Sequence, residues 1–386
     1  MLISSTREIF FKHIEETTPE KRFILIERME KYMEYPIGIE MSQDYLSYEV
    51  SKAAYKLVHD VMLVQPGENV VITGDTSTDR RVLDALMSAA YTIGANPLLV
   101  FAPTTLSTYA EPAAPLGNAV AVSDVWIELS YGSIFLSDAW KKAIDFGCRY
   151  INLTGMDATM IVNCVGRVDV NKVVELGEAL KAKLEAGNDI IIKDNNGTYL
   201  TARNEGRKVR HSGQLASFKG YPFMMAGQIS WCPIEETING TLVFDAALFP
   251  PTDMGALTET VKLTLENGRV TKIEGGKEAE RFSAWLHSFN DPNMFRLAHY
   301  SLGFNPGVTK ATGRIVEDER IFGCMEFGIG SQGKMIRGSY WTAASHTDGV
   351  VSKPTIIVDG VTIEENGKYV DPELDEICRQ MGVAGY

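Results

Sequence analysis

Short apolar segments that favour β-strands alternate with helical segments between residues 69 and 153. The strand-like segments are 69–73, 96–101, 125–129 and 149–153, and helical stretches at 79–94 and 137–147 lie among them. Strands that alternate with helices pair in parallel, because each helix carries the chain back before the next strand begins. The pattern therefore predicts an α/β fold whose N-terminal part is a Rossmann-like parallel sheet covered by helices.

The pattern changes after residue 156, where short strands dominate. Strand-like runs occupy 189–192, 240–244, 260–265 and 269–273, with helical stretches at 167–187 and 277–288. Asn267-Gly268 is typical of a two-residue hairpin turn. We expect an N-terminal α/β domain at 1–155, with a helical segment at its start (1–60), and a β-rich α+β domain at 156–386 that carries the catalytic metal site.

Composition and charge argue against several classes of function. The chain has 386 residues and a net charge of −13, whereas nucleic-acid binding needs a basic surface. Its five cysteines are scattered without a C-x-x-C pair, as in reduced cytosolic proteins. No signal-peptide core and no membrane-spanning apolar run is present in the sequence. We expect a cytoplasmic protein that binds neither nucleic acid nor membrane.

The segment Gly74 to Asp79 follows the first predicted strand, where many α/β folds bind phosphate. It matches neither G-x-G-x-x-G nor the lysine-containing P-loop. We interpret it as a turn whose polar side chains cap the next helix, and we predict no nucleotide cofactor.

Two histidines and one aspartate are candidate metal ligands. His346 and Asp348 are two residues apart, so on a strand they point to the same face, and Ser345 points to the other. His299 upstream would complete a set of two imidazoles and one carboxylate, which suits a divalent metal such as non-haem Fe(II). Alternatively, Asp348 starts a turn with Gly349 and both histidines are structural.

Two carboxylates are candidate catalytic groups. Glu326 lies in an apolar, glycine-rich segment, where a charge is usually paired or functional. Gly328 and Gly330 in that segment allow the backbone to approach a ligand closely, or they form a tight turn. Glu235 could act as a base or metal ligand, although a solvated turn or cap is the simpler interpretation. Side chains that could orient an anionic group of a substrate follow in the next loop: Lys334, Arg337 or Tyr340.

The C-terminal half resembles the family that joins thermophilic metallo-aminopeptidases (leucyl aminopeptidase, aminopeptidase T) with 2,5-dihydroxypyridine 5,6-dioxygenase. The resemblance lies in the order and spacing of four strings, which are Pro233 to Leu242, Phe289-Asn290-Asp291-Pro292, Ala298 to Pro306 and Ser345-His346-Thr347-Asp348. In the dioxygenase branch the matching positions hold iron, which implies His299, His346 and Asp348 as ligands here. The resemblance also implies a homo-oligomer.

Two departures from this family bear on the activity. The aminopeptidase branch binds two metals and has an E-N-A-x-x-H element, but the segment before His299 lacks its glutamate and asparagine, and Glu235 is not in a clear G-E context. The dioxygenase branch has a serine in an F-S-T-G segment that reads Phe327-Gly328-Ile329-Gly330 here. The hydroxyl is therefore missing, and Glu326 stands nearby.

We predict a mononuclear Fe(II) ring-cleaving dioxygenase that acts on a small hydroxylated N-heteroaromatic substrate and O₂. The alternative is a metal-dependent hydrolase, an aminopeptidase or amidase, that uses Zn, Co or Mn and a bound water. A third hypothesis is a non-catalytic α/β binding protein.

Overall fold

The structure, a computed structural model, describes residues 46–105 and 110–386. The part of the predicted N-terminal helical segment before residue 46 lies outside the described residues. The strands, in chain order, are β1 (Asn69–Asp75), β2 (Asn96–Ala102), β3 (Val125–Glu128), β4 (Arg149–Asn152), β5 (Asp189–Lys193), β6 (Tyr199–Arg203), β7 (Tyr221–Met224), β8 (Gln228–Trp231), β9 (Asn239–Phe244), β10 (Ala247–Phe249), β11 (Val261–Glu266), β12 (Arg269–Gly275), β13 (Leu297–Gly303), β14 (Cys324–Gln332), β15 (Trp341–Val351), β16 (Thr355–Val358), β17 (Val361–Glu365) and β18 (Lys368–Tyr369).

The α-helices are, in the same order, α1 (Ser47–Lys56), α2 (Arg80–Ile93), α3 (Ala114–Val120), α4 (Asp138–Phe146), α5 (Ala158–Ile161), α6 (Val170–Ala186), α7 (Lys277–Ser288), α8 (Ile315–Asp318) and α9 (Pro372–Gln380). Among the described residues, no helix has both the length and the apolar character needed to span a membrane.

Five strands form a parallel sheet in the order β2-β1-β3-β4-β7. The α/β fold with a parallel sheet is thus confirmed. The fifth strand, β7, follows residue 155, so the sheet also uses a segment from the predicted C-terminal part. The division into domains at 1–155 and 156–386 remains a prediction.

The polar turn after β1 caps a helix, as its sequence predicts. Asp79 is the N-cap of α2, and its side chain accepts a hydrogen bond from the backbone N–H of Arg81. The helix ends at Gly94, which has a φ of 88° and so adopts the left-handed conformation that glycine favours.

The other two sheets are antiparallel and contain the β-rich part of the chain. One has the order β10-β15-β14-β13-β8, and the larger one has the order β12-β11-β9-β6-β5-β16-β17-β18. The predicted hairpin joins β11 to β12, with φ of 52° at Asn267 and 72° at Gly268. Two successive positive φ values are those of a type I′ turn, which matches the twist of the flanking strands.

The five-stranded antiparallel sheet has one apolar and one polar face. Tyr300 and Phe327 on one face are buried, and their rings pack with centroids 4.9 Å apart, while Phe327 faces Phe244 of the larger sheet. Side chains alternate between the faces of a strand. The next residues along β13 and β14, which include His299 and Glu326, therefore point to the opposite face.

Candidate metal centre

Strand pairing brings the two predicted histidines and the aspartate to one face of the sheet. On the central strand β14, Gly328 lies opposite His299 of β13 and opposite Asp348 of β15. Gly330, two residues further along β14, lies opposite His346. Strand β15 continues to Val351, so Asp348 does not start a turn with Gly349. The predicted strand placement of His346 and Asp348 is confirmed.

These three side chains converge within the reach of one ion. One potential ligand atom from each of His299, His346 and Asp348 lies within 4.8 Å of the others, and no other such group of His, Cys, Asp or Glu occurs among residues 46–105 and 110–386. Asp348 Oδ1 is 2.9 Å from His346 Nε2 and 3.6 Å from His299 Nε2. The two imidazoles stack with centroids 5.2 Å apart.

The absence of a side chain at Gly328 makes room for both imidazoles. A β-carbon there would lie 2.4 Å from His299 Nδ1 and 2.8 Å from His346 Cε1. Both distances are shorter than non-bonded atoms tolerate. The glycine therefore allows the two rings to meet above the centre of the strand.

A backbone carbonyl orients His346. Its Nδ1 lies 2.8 Å from the carbonyl oxygen of Ser331, an acceptor, so Nδ1 carries a proton and donates it. In the neutral ring this leaves the lone pair of Nε2 directed at the Asp348 side. Metal-binding histidines are commonly fixed in this way through the other ring nitrogen.

The charges suit a cation site. Burial alone would raise the pKa of Asp348, but the neighbouring His346 lowers that pKa to about 2. Burial lowers the pKa of His299 against the opposing charge of Asp348. Burial likewise opposes protonation of His346, yet Asp348 raises its pKa overall. The centre thus contains an ionised carboxylate and, at His299, a neutral imidazole, which are the protonation states that a metal requires.

Glu326 lies beside this centre and is completely buried on β14. Its Oε2 forms a hydrogen bond with His299 Nε2 over 3.2 Å and accepts one from Gln228 Nε2 over 3.4 Å, while its Oε1 lies 3.1 Å from the same His299 nitrogen. Burial, followed by the charge of Asp348, raises the pKa of Glu326 well above its usual range. The structure therefore brings Glu326 to the three predicted ligands in a setting that favours its protonated form.

Glu235, the other candidate carboxylate, is engaged elsewhere. It pairs with Arg207, accepts a hydrogen bond from the Ser339 N–H over 2.7 Å and contacts Gln332 Nε2 at 3.2 Å. Burial would raise its pKa, but these partners lower it. In the described part of the chain, no hydrogen bond or ion pair links Glu235 to His299, His346 or Asp348.

The predicted substrate-orienting side chains lie in the loop that Glu235 supports. Lys334 lies over the ring of Tyr340, 5.1 Å from its centroid. Arg337 and Tyr340 both adopt positive φ. Among the described contacts, none joins Lys334, Arg337 or Tyr340 to the three candidate ligands.

Two supporting groups were not predicted from the sequence. Ser331 acts through its backbone carbonyl, which every residue has, so the residue type gives no sign of this role. Gln228 is on β8, next to β13, and its contact with Glu326 depends on sheet order. No local signal distinguishes Gln228 from other glutamines.

Known proteins resemble this chain over most of its length. A family model described as 2,5-dihydroxypyridine 5,6-dioxygenase matches residues 52–371. A curated relative of that name from Pseudomonas putida is 34% identical over 74 residues, which span 19% of this chain and 21% of the relative. The alignment thus covers about a fifth of that relative's length.

Two solved structures share the fold. The 2,5-dihydroxypyridine dioxygenase from Pseudomonas putida KT2440 matches with a TM-score of 0.70 and 19% identity, over 87% of this chain and 100% of the other. Wild-type AmpT from Thermus thermophilus, an aminopeptidase T, matches with a TM-score of 0.62 and 15% identity, over 84% and 99%. At such low identity these likenesses concern the fold alone.

Proposed function

The chain belongs to the 2,5-dihydroxypyridine 5,6-dioxygenase family, and on that premise we propose that it uses one non-haem Fe(II) ion and O₂ to open the ring of a small hydroxylated N-heteroaromatic compound. The observation that carries the proposal is the convergence of His299, His346 and Asp348 within 4.8 Å. Two imidazoles and one carboxylate form the facial set that non-haem Fe(II) oxygenases use.

His299, His346 and Asp348 would hold the metal. The donor types fit Fe(II), Gly328 leaves space above the strand, and Asp348 is already ionised. Fe(II) bound in this way supplies the one-electron chemistry by which O₂ reacts with an aromatic ring. The hydrogen bond from His346 Nδ1 to Ser331 keeps the imidazole in the orientation that directs Nε2 to the metal.

Glu326 would hold a proton next to the reacting ring. Its carboxyl group contacts His299, and its burial raises its pKa, which favours the protonated form that can donate a hydrogen bond where an ionised carboxylate could not. Gln228 donates a hydrogen bond to Oε2 of the same group. Loss of one ring C–C bond with both oxygen atoms of O₂ incorporated is the balanced reaction that we propose for this site.

Hydrolysis by Zn²⁺, Co²⁺ or Mn²⁺ is the second candidate, because AmpT shares the fold and Glu326 adds a second carboxyl group beside the triad. A general base next to a metal-bound water would suit an aminopeptidase or amidase. The engagement of Glu235 with Arg207 favours one metal over two, since it removes a carboxylate that a dinuclear site would need.

Anaerobic reconstitution with Fe(II), Zn²⁺, Co²⁺ or Mn²⁺, one at a time, tests the two candidates. Each form is then given 2,5-dihydroxypyridine in an oxygen electrode and, separately, a panel of dipeptides and amides. We expect oxygen uptake with Fe(II) alone and, from ¹⁸O₂, two labelled oxygen atoms in each product molecule.

Dipeptide or amide hydrolysis with Zn²⁺ or Co²⁺, without oxygen uptake by the Fe(II) form, would assign the hydrolase instead. Failure of every metal to bind would contradict both candidates and favour a binding protein with structural histidines.

A further inference from the structure

Two arginines away from the metal centre lie directly opposite each other. Arg269 begins β12, and Arg296 precedes β13, and their backbones form an antiparallel bridge. The N–H of Leu297 donates to the carbonyl of Gly268 over 2.9 Å and fixes this register. Opposed residues of an antiparallel pair project their side chains to the same side, where like charges destabilise the pair.

Among the described residues, no carboxylate forms an ion pair with either arginine, although Glu235 and Glu236 act favourably on the charge of Arg296 from a longer distance. Arg269 Nη1 donates to the carbonyl of Pro292 over 3.1 Å, and neither Arg269 nor Arg296 has an ion-pair partner within 4.0 Å in the described part of the chain. Glu266, which faces Arg269 across the hairpin, is exposed and makes no such pair. Glu235, a buried carboxylate in the wall of the same cavity, pairs with Arg207.

Trp341 holds the guanidinium of Arg296 in place. The guanidinium carbon lies 3.6 Å from the centroid of the indole, whose Nε1 donates to the Gly330 carbonyl over 2.7 Å. Stacking occupies the flat face of the guanidinium and leaves its N–H edges free for a ligand. Burial, and then the charge of Arg269, lowers the pKa of Arg296, while Glu235 and Glu236 oppose this shift.

Both arginines line a cavity of about 380 Å³, with Asn267 and Thr271 as further polar groups. Its wall also includes three carboxylates: Glu235, which pairs with Arg207, and the exposed Glu236 and Glu266, so acidic groups outnumber the two arginines. Guanidinium groups bind carboxylate and phosphate oxygens with two parallel hydrogen bonds. An oxyanion between Arg269 and Arg296 would convert their repulsion into a shared attraction.

We propose that this cavity binds a small oxyanion, a carboxylate or phosphate group, between Arg269 and Arg296. The site is separate from the three candidate metal ligands, and the proposal does not depend on the proposed oxygenase activity. Free inorganic phosphate and small organic acids share this chemistry, so the experiment examines both.

Isothermal titration calorimetry of the metal-loaded protein in a low-chloride buffer, with phosphate and with succinate, tests the proposal. We expect saturable binding of at least one anion, a higher melting temperature in its presence, and an affinity loss of about tenfold or more in Arg269→Gln and Arg296→Gln. Arg379→Gln, which changes an exposed arginine paired with Asp375 on α9, is the matched control.

Binding of succinate alone would identify an organic acid as the ligand, and binding of phosphate alone would identify a phosphate group. No saturable binding of either anion, or equal affinity in the wild type and both cavity variants, would overturn the proposal. If a glutamine variant fails to fold, Arg296→Lys keeps the charge but loses the planar stack and the two parallel hydrogen bonds, and it should still bind the anion more weakly than the wild type does.

Discussion

The imidazole of His299 occupies the space that a β-carbon on Gly328 would fill, with Cε1 only 2.3 Å from the position of that carbon. The two residues are cross-strand partners on β13 and β14, so the contact is fixed by the sheet and not by a flexible loop. A substitution at Gly328 must therefore act on the ring of His299 first.

Gly328→Ala should displace His299 and weaken metal binding by about 10- to 100-fold, the range seen when the orientation of a metal ligand is disturbed. The fold should persist, since the displaced atoms are the far edge of a side chain. Metal titration and circular dichroism measure the two effects. Gly333→Ala is the control, because a β-carbon at Gly333 meets nothing within 4 Å and its φ is −72°. Equal metal affinity in the two variants would contradict the geometry proposed for the centre.

His346→Ala and Asp348→Asn should each reduce metal affinity by more than about 100-fold, since loss of a ligand should exceed the effect of a disturbed supporting residue. Metal content by mass spectrometry after dialysis is the measurement. His287→Ala, which removes an exposed histidine from α7, should keep its metal. Full metal occupancy in His346→Ala would mean that this imidazole is not a ligand.

Glu235→Gln should lower stability by about 1–3 kcal/mol, because it breaks the pairing of a buried carboxylate with Arg207 and the contacts that hold Gln332 and Ser339. Metal affinity should stay unchanged. Glu236→Gln alters the exposed neighbour and should have little effect on either quantity. Chemical denaturation and metal titration separate the outcomes. A variant of Glu235 with normal stability but no turnover would instead support the catalytic role predicted from the sequence.

Glu364 should make the free energy of unfolding depend on pH. It is completely buried on β17, neither of its carboxylate oxygens has a hydrogen-bond partner, and burial raises its pKa well above the usual range. The folded state therefore retains a proton that the unfolded chain releases above about pH 4.3. The contribution of the protonated Glu364 to stability is complete below that pH. It is lost as the pH rises through the pKa that Glu364 has in the folded state, by at most about 1.4 kcal/mol per pH unit.

Glu364→Gln should remove this part of the pH dependence, so that the variant gains stability relative to the wild type as the pH rises from 5 to 8. Urea denaturation at each pH is the measurement. Glu365→Gln changes the exposed neighbouring carboxylate, and its free energy of unfolding should depend on pH as that of the wild type does. If the free energy of unfolding changed with pH equally in the wild type and in Glu364→Gln, the carboxyl group of Glu364 would have the same pKa in the folded and unfolded states, contrary to the prediction.

Sequence pattern predicted the parallel sheet, a hairpin turn at Asn267-Gly268 and a polar turn that caps the following helix, and the resemblance of four strings to known proteins indicated the family. The pattern also predicted that His346 and Asp348 share a strand face, because a two-residue spacing fixes side-chain direction within one strand. All of these depend on neighbours in the chain, and for such features local preference and tertiary structure agree.

The tertiary structure alone decided which distant groups meet. His299 reaches Asp348 only because β14 lies between their strands and has a glycine at the crossing point. The two candidate glutamates differ in environment for the same reason, since sheet order buries Glu326 beside His299 while Arg207 draws Glu235 into a separate network. Pairing between strands far apart in sequence depends on the packing of whole sheets, and no local pattern of residues encodes it.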